Sequence, residues 1–91
     1  MITNDKFGFE GVYKSEYFVF KINTESGVSV KAFHKGQPDH DVNPKQVGKD
    51  NNTGHEVAVY IIPKLSAYTY EITDGVDTIK FEIQRHTIVW L

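Results

Sequence analysis

Large apolar residues in this chain recur at every second position, in short runs broken by glycine, proline, aspartate and asparagine, and no helical stripe competes with them. Alternation puts successive side chains on opposite faces of an extended strand, so the pattern restricts the chain to sheet. Residues 7–13, 17–23, 28–33, 56–62, 67–73, 77–84 and 87–91 are predicted as strands. About seven short strands at such close spacing predict an all-β fold, an antiparallel sandwich or a partly open barrel, in a single domain over residues 1–91.

Two turns carry register information. Asp74-Gly75 suits a two-residue turn with both φ angles positive. That loop would pair Thr73 with Val76, Ile72 with Asp77, Tyr70 with Ile79 and Tyr68 with Phe81. The large apolar residues then share one face, and the other face holds Glu71 opposite Thr78, Thr69 opposite Lys80 and Ala67 opposite Glu82. At the second turn, a three-residue loop of Glu25, Ser26 and Gly27, with Gly27 left-handed, would set Ile22 opposite Val30 and Phe20 opposite Ala32.

Between Phe33 and Glu56 runs one long polar connector, residues 34–55, which reads as non-strand. Asn43 as a helix cap, Pro44 at the first helical position and Gly48 at the end predict one helical turn near residues 43–48, pinned by Val42 and Val47. Connections of this length are commonly functional or else plain crossovers between two sheets of a Greek key, which is the blander expectation here.

Composition narrows the functional classes. With no cysteine there is no disulfide, thiolate nucleophile or zinc knuckle, and the chain reads as cytoplasmic. No signal peptide is visible at the N-terminus, and the longest wholly apolar run, residues 57–62, is far short of the roughly 18 residues of a membrane span. A net charge of −2 without clustered lysine or arginine lacks the footprint of a nucleic-acid binder. A chain of 91 residues also needs nearly all its large apolar side chains for one core, which leaves little room for a buried multi-substrate site.

Catalytic chemistry finds few carriers. No serine sits in a Gly-x-Ser-x-Gly setting, and acid pairs such as Glu10 with Glu16, or Glu71 with Glu82, read as outer sheet faces. Gly8 and Gly11 precede a strand rather than the helix N-terminus that a phosphate loop requires. His34, His40 and His55, with Asp39, Asp41 and Asp50, provide imidazole and carboxylate along the connector. Their spacing matches no metal-ligand pattern, so neither metal nor cofactor is expected.

What remains is a surplus of aromatic surface, 13% of the chain. Phe18, Phe20, Tyr68, Tyr70 and Phe81 share faces with isoleucines and read as core, whereas Tyr17, Phe33 and Tyr60 fall on the opposite parity of their strands. Residues 57–62 are apolar on both faces, so that strand is either covered on both sides or exposed at a partner surface. At the C-terminus the inward parity of Ile79, Phe81 and Ile83 would leave Ile88 and Trp90 pointing out. A bulge near residues 84–86 would return them to the core; without it, residues 87–91 form an apolar edge suited to strand addition or a two-fold dimer.

The sequence therefore predicts a small non-enzymatic protein whose partner is another protein, in an accessory, inhibitor or immunity-like role. Its candidate contact residues are Tyr17, Tyr60, Ile88 and Trp90, together with His34, His40 and His55. The alternative is a module for small carbohydrate-like ligands, stacked on an exposed aromatic ring beside polar loop groups. A metal site in the connector is a weaker third.

Overall fold

A computed structural model describes residues 1–25, 27–63, 68–84 and 87–91. Among these described residues ten strands follow in order: β1 (Ile2–Asn4), β2 (Phe9–Tyr13), β3 (Tyr17–Asn23), β4 (Ser29–Phe33), β5 (His40–Asp41), β6 (Gln46–Lys49), β7 (Glu56–Pro63), β8 (Thr69–Thr73), β9 (Thr78–Gln84) and β10 (Thr87–Trp90). One 3-10 turn, Lys6–Gly8, separates the first two. The strands form two antiparallel five-stranded sheets, ordered β1-β2-β3-β7-β6 and β10-β9-β8-β4-β5, in the manner of a sandwich.

Alternation does what the sequence expects of it. Phe9, Phe18, Phe20, Ile22, Ala58, Tyr60 and Ile62 project inward from the first sheet. Val30, Ala32, Tyr70, Ile72, Ile79, Phe81 and Ile83 meet them from the second. Phe81 lies at the centre of an aromatic cluster, with ring centroids 5.8 Å from Phe9, 5.7 Å from Phe20, 5.4 Å from Tyr70 and 5.5 Å from Trp90. Gly11 makes room for this cluster, because any Cβ there would lie 2.1 Å from the ring of Phe18.

Three expectations about connections are corrected. Strands β8 and β9 pair with Thr73 opposite Thr78 and Ile72 opposite Ile79, two residues out of the predicted register, so the loop is Asp74-Gly75-Val76-Asp77. Parity is preserved by a shift of two, which is why the faces come out right. The larger loop is held by the Asp74 carboxylate, which accepts from the backbone N–H of Asp77 (2.7 Å) and Val76 (2.9 Å), and it leaves Val76 89% exposed instead of packed against Thr73. Glu71 consequently stands directly opposite Lys80, and their charged ends are 3.4 Å apart. The predicted partner of Glu82, Ala67, lies outside the described residues.

Strands β3 and β4 do not form a hairpin. Each joins a different sheet, and the chain crosses between them through Gly27, which is left-handed as expected with φ 73°. Ser26 lies outside the described residues. An arch of this kind turns the apolar faces of β3 and β4 toward each other across the core, so inward parity is satisfied as well by an arch as by a hairpin.

The connector contains no helical turn at residues 43–48. Instead β5 adds to the edge of β4 and β6 to the edge of β7, so the segment crosses from the second sheet to the first, as in a Greek-key crossover. Hydrogen bonds from Val42 N–H to Val30 O (2.8 Å) and from Lys45 N–H to Val59 O (2.7 Å) bind it to both sheets. Every residue of β6 is exposed, Val47 included, so the strand is held by its backbone pairing rather than by burial.

At the C-terminus β10 reverses on β9, with Gln84 opposite Thr87 and Ile88 opposite Ile83. The reversal places Ile88 and Trp90 on the inner face without continuing the parity of β9; of residues 84–86, where a bulge was expected, Gln84 pairs with Thr87 and 85–86 lie outside the described residues.

Candidate functional site

The outward faces of the two sheets differ in kind. On the second sheet Lys31, Glu71, Lys80 and Glu82 alternate with threonines, and apolar residues appear only toward the margins, at Phe33, Val89 and Leu91. On the first sheet, register brings Val12 of β2, Val19 of β3 and Ile61 of β7 side by side, with Val59 and Val57 following along β7 and Tyr17 at the head of β3. Tyr17 is 50% exposed, Ile61 43% and Val12 38%; Val19, Val57 and Val59 are half-buried. Apolar patches this continuous on a small domain commonly mark interaction surfaces.

One ion network crosses the face. The Lys21 ammonium lies 3.2 Å from Asp50 Oδ2 and 3.5 Å from Glu10 Oε2. Its hydrogen bond to Asp50 holds Lys21 above its ordinary pKa of 10.5. The Asp50 carboxyl lies below its usual 3.8, mainly because it accepts the Asn52 backbone N–H and secondarily because of Lys21. Asp74 is depressed in the same direction by the N–H groups of Asp77 and Val76. A carboxylate with a lowered folded pKa contributes stability that is complete above its unfolded value and disappears as pH falls through the folded one. Thermal unfolding followed from about pH 6 to about pH 2 should therefore show a decline below pH 3.8, and Asp50→Asn and Asp74→Asn should each flatten it; an unchanged slope in both would refute the assignment.

Beside Tyr17 the face passes into a groove. Tyr17, Lys45 and Ile61 line its first part; Ile61 continues into a cleft of about 480 Å³ with Val42, Pro63, Tyr68 and His40 along its walls. The Tyr68 ring is 4.9 Å from that of His34 and 5.6 Å from that of His40, and its hydroxyl donates to Gln37 Oε1 (3.3 Å). His34 Nδ1–H donates to the Lys35 carbonyl at 3.1 Å.

The structure thus gathers Tyr17, His34 and His40 around one end of the sandwich. His55 is at the other end, where it pairs with Glu25, about 25 Å away along the eight residues of β7. The three connector histidines do not converge, and among the described residues no group of three or more His, Cys, Asp or Glu side chains could hold a metal ion.

Tyr60 is placed differently from expectation: it points inward, 3% exposed and stacked on Phe20 at 5.0 Å and 11°. Burial raises its phenol above its ordinary pKa of 10.0. Ile88 and Trp90 are half-buried against the core, Trp90 edge-on to Phe9 at 5.0 Å. The edge of β10 is partly occupied, since the Tyr13 hydroxyl accepts the Ile88 N–H at 2.8 Å.

Sequence reading missed the row Val12, Val19 and Ile61. A signal was present, because β2 and β3 carry valine on the parity opposite their phenylalanines, and β7 carries it on the parity opposite Tyr60. In comparisons with known proteins, the chain matches no family model, no curated protein and no solved structure.

Proposed function

We propose that this is a small non-enzymatic binding protein of the cytoplasm, and that another protein docks on the outward face of its first sheet. The observation that supports this most is the difference between the two sheets: valine, isoleucine and tyrosine cover one outward face, where lysine, glutamate and threonine cover the other. Tyrosine and branched aliphatics flanked by charge are the composition of a protein-binding surface, whose centre loses its water while its rim stays wet.

Capture from an extract of the source cells tests it with variants on opposite faces. Lysine at position 61 places a charge in the centre of the patch on a side chain that is 43% exposed, so folding should be retained. Ile61→Lys should lower recovery of the bound protein by about tenfold or more, whereas Lys80→Ala on the other sheet should leave it unchanged. Equal recovery by all three proteins would refute the assignment of this face. A second reading, a small carbohydrate-like ligand lying against Tyr68, is favoured by the aromatic and imidazole walls of the adjoining cleft. Absence of heat on titration with simple sugars would remove it.

A further inference from the structure

We infer that the occupant of this face is a second copy of the chain, related to the first by a two-fold axis that lies in the interface and runs parallel to β3 and β7. The inference rests on the face being a protein-docking surface, and two observations point to the second copy.

The first is self-complementarity. A two-fold axis parallel to the strands, midway between β3 and β7, lays each β3 over the partner's β7 and keeps every residue at its own height along the strands. Val19 and Ile61 stand in one row, so Val19 of each copy meets the other's Ile61; Tyr17 and Pro63 stand in the next row and meet likewise. The same operation carries β2 over the opposite margin of the sheet, beside β6. There the charges match. Glu10 shares its row with Lys21, Val59 and Gln46, and Lys45 adjoins that row, its N–H bonded to Val59 O. Glu10 of one copy is thereby brought to Lys45 of the other, twice per dimer. Lys45 lines the surface with Tyr17 and Ile61 and has no carboxylate partner among the described residues. Lys21 and Asp50 neutralise each other within the chain, so they can be covered without leaving an isolated charge.

The second is area. The five strands, at about 3.3 Å per residue and about 4.8 Å apart, give a plan of about 430 Å² before side-chain relief is counted. That lies below the roughly 600–1,000 Å² per partner of a stable interface and has the size of a weak, reversible one.

Sedimentation velocity on the full chain, from micromolar to sub-millimolar concentration, tests the proposal through a paired charge reversal. Glu10→Lys and Lys45→Glu each set like charges against each other in a homodimer and should each raise the dissociation constant by about tenfold or more. An equimolar mixture of the two variants should recover the parent's dimer, because each lysine at position 10 then faces a glutamate at position 45. Circular dichroism of each variant shows whether the fold survives, and Ile61→Lys, at the apolar centre of the face, reports on its covering without a change at Glu10 or Lys45. Recovery on mixing, with loss in Ile61→Lys, supports the two-fold arrangement. A parent dimer indifferent to all three substitutions, or a mixture no tighter than its components, overturns it. A parent that stays monomeric while Ile61→Lys abolishes capture of a different protein overturns the second copy and leaves the docking face standing. A monomer with no face-sensitive capture overturns both.

Discussion

Alanine at position 11 is expected to destabilise the protein by about 3 kcal/mol, at the upper end of what an overpacked core costs. Its Cβ would sit 2.1 Å from Cζ of Phe18 and 2.9 Å from both Cε carbons. The ring cannot withdraw, because Phe18 is fully buried, with Tyr13 at 5.2 Å, Phe20 at 6.1 Å and Phe81 at 6.3 Å around it. Either the ring leaves its rotamer or β2 moves away from β3, and both disturb the tightest part of the core. Gly48→Ala is the matching control: a Cβ there meets nothing within 4 Å, so its effect should stay within about 0.5 kcal/mol. Urea unfolding midpoints for the two variants decide the matter, and a Gly11→Ala midpoint equal to the parent's would contradict the packing described.

Phe81→Ala should cost still more, about 4 kcal/mol, the usual loss for a phenylalanine removed from a core. Its ring contacts aromatic side chains from both sheets, so truncation opens a cavity that neither sheet can close alone. Total stability for a domain is commonly about 5–15 kcal/mol, which brings this variant close to unfolding at ambient temperature. Phe81→Leu keeps most of the volume and should lose under about 2 kcal/mol, so comparing the two by calorimetry distinguishes a cavity effect from a general intolerance at the site.

Both sites lie on faces that alternation alone identifies. Phe18, Phe20, Ile22, Ile72, Phe81 and their neighbours are inward because the alternative parity would expose several large side chains on each strand at once. Alternation specifies a face, however, and not the neighbour in the sheet. The inward sets of β3 and β4 are equally satisfied side by side or facing across the core, and only the pairing of β3 with β7 and β4 with β8, remote in the chain, selects the arch. Likewise Asp74-Gly75 favours a two-residue turn locally, but two backbone N–H groups bonded to the Asp74 carboxylate, together with Ile72 meeting Ile79, favour the longer loop.

The candidate site was legible only in part, for related reasons. In residues 57–62 both parities are apolar, so β7 alone cannot say which goes inward. Phe20 on the adjacent strand decides, because stacking on Tyr60 buries the larger ring and leaves Val59 and Ile61 outward. The polar stretch from 40 to 49 has little to bury and gives no alternation to read; β5 and β6 exist because the edges of β4 and β7 offer unpaired backbone groups. Tyr17 was legible because an aromatic at the head of a strand, on the parity of lysine and asparagine, has no core to enter.

The interlocked pairing of the two sheets governs how quickly the molecule can assemble. Strands β3 and β4 are consecutive, as are β7 and β8, yet each pairs with its counterpart in the other couple, from Asn23 with Val57 to Ser29 with Thr73. Whichever of these pairings forms first must close a long stretch of chain before it gains contact energy, which places folding among the slow topologies, in the millisecond-to-second range. Once it has formed, the loop closure of the second is almost complete in advance. The two sheets should consequently appear together in a single kinetic phase, neither having the means to persist without the other.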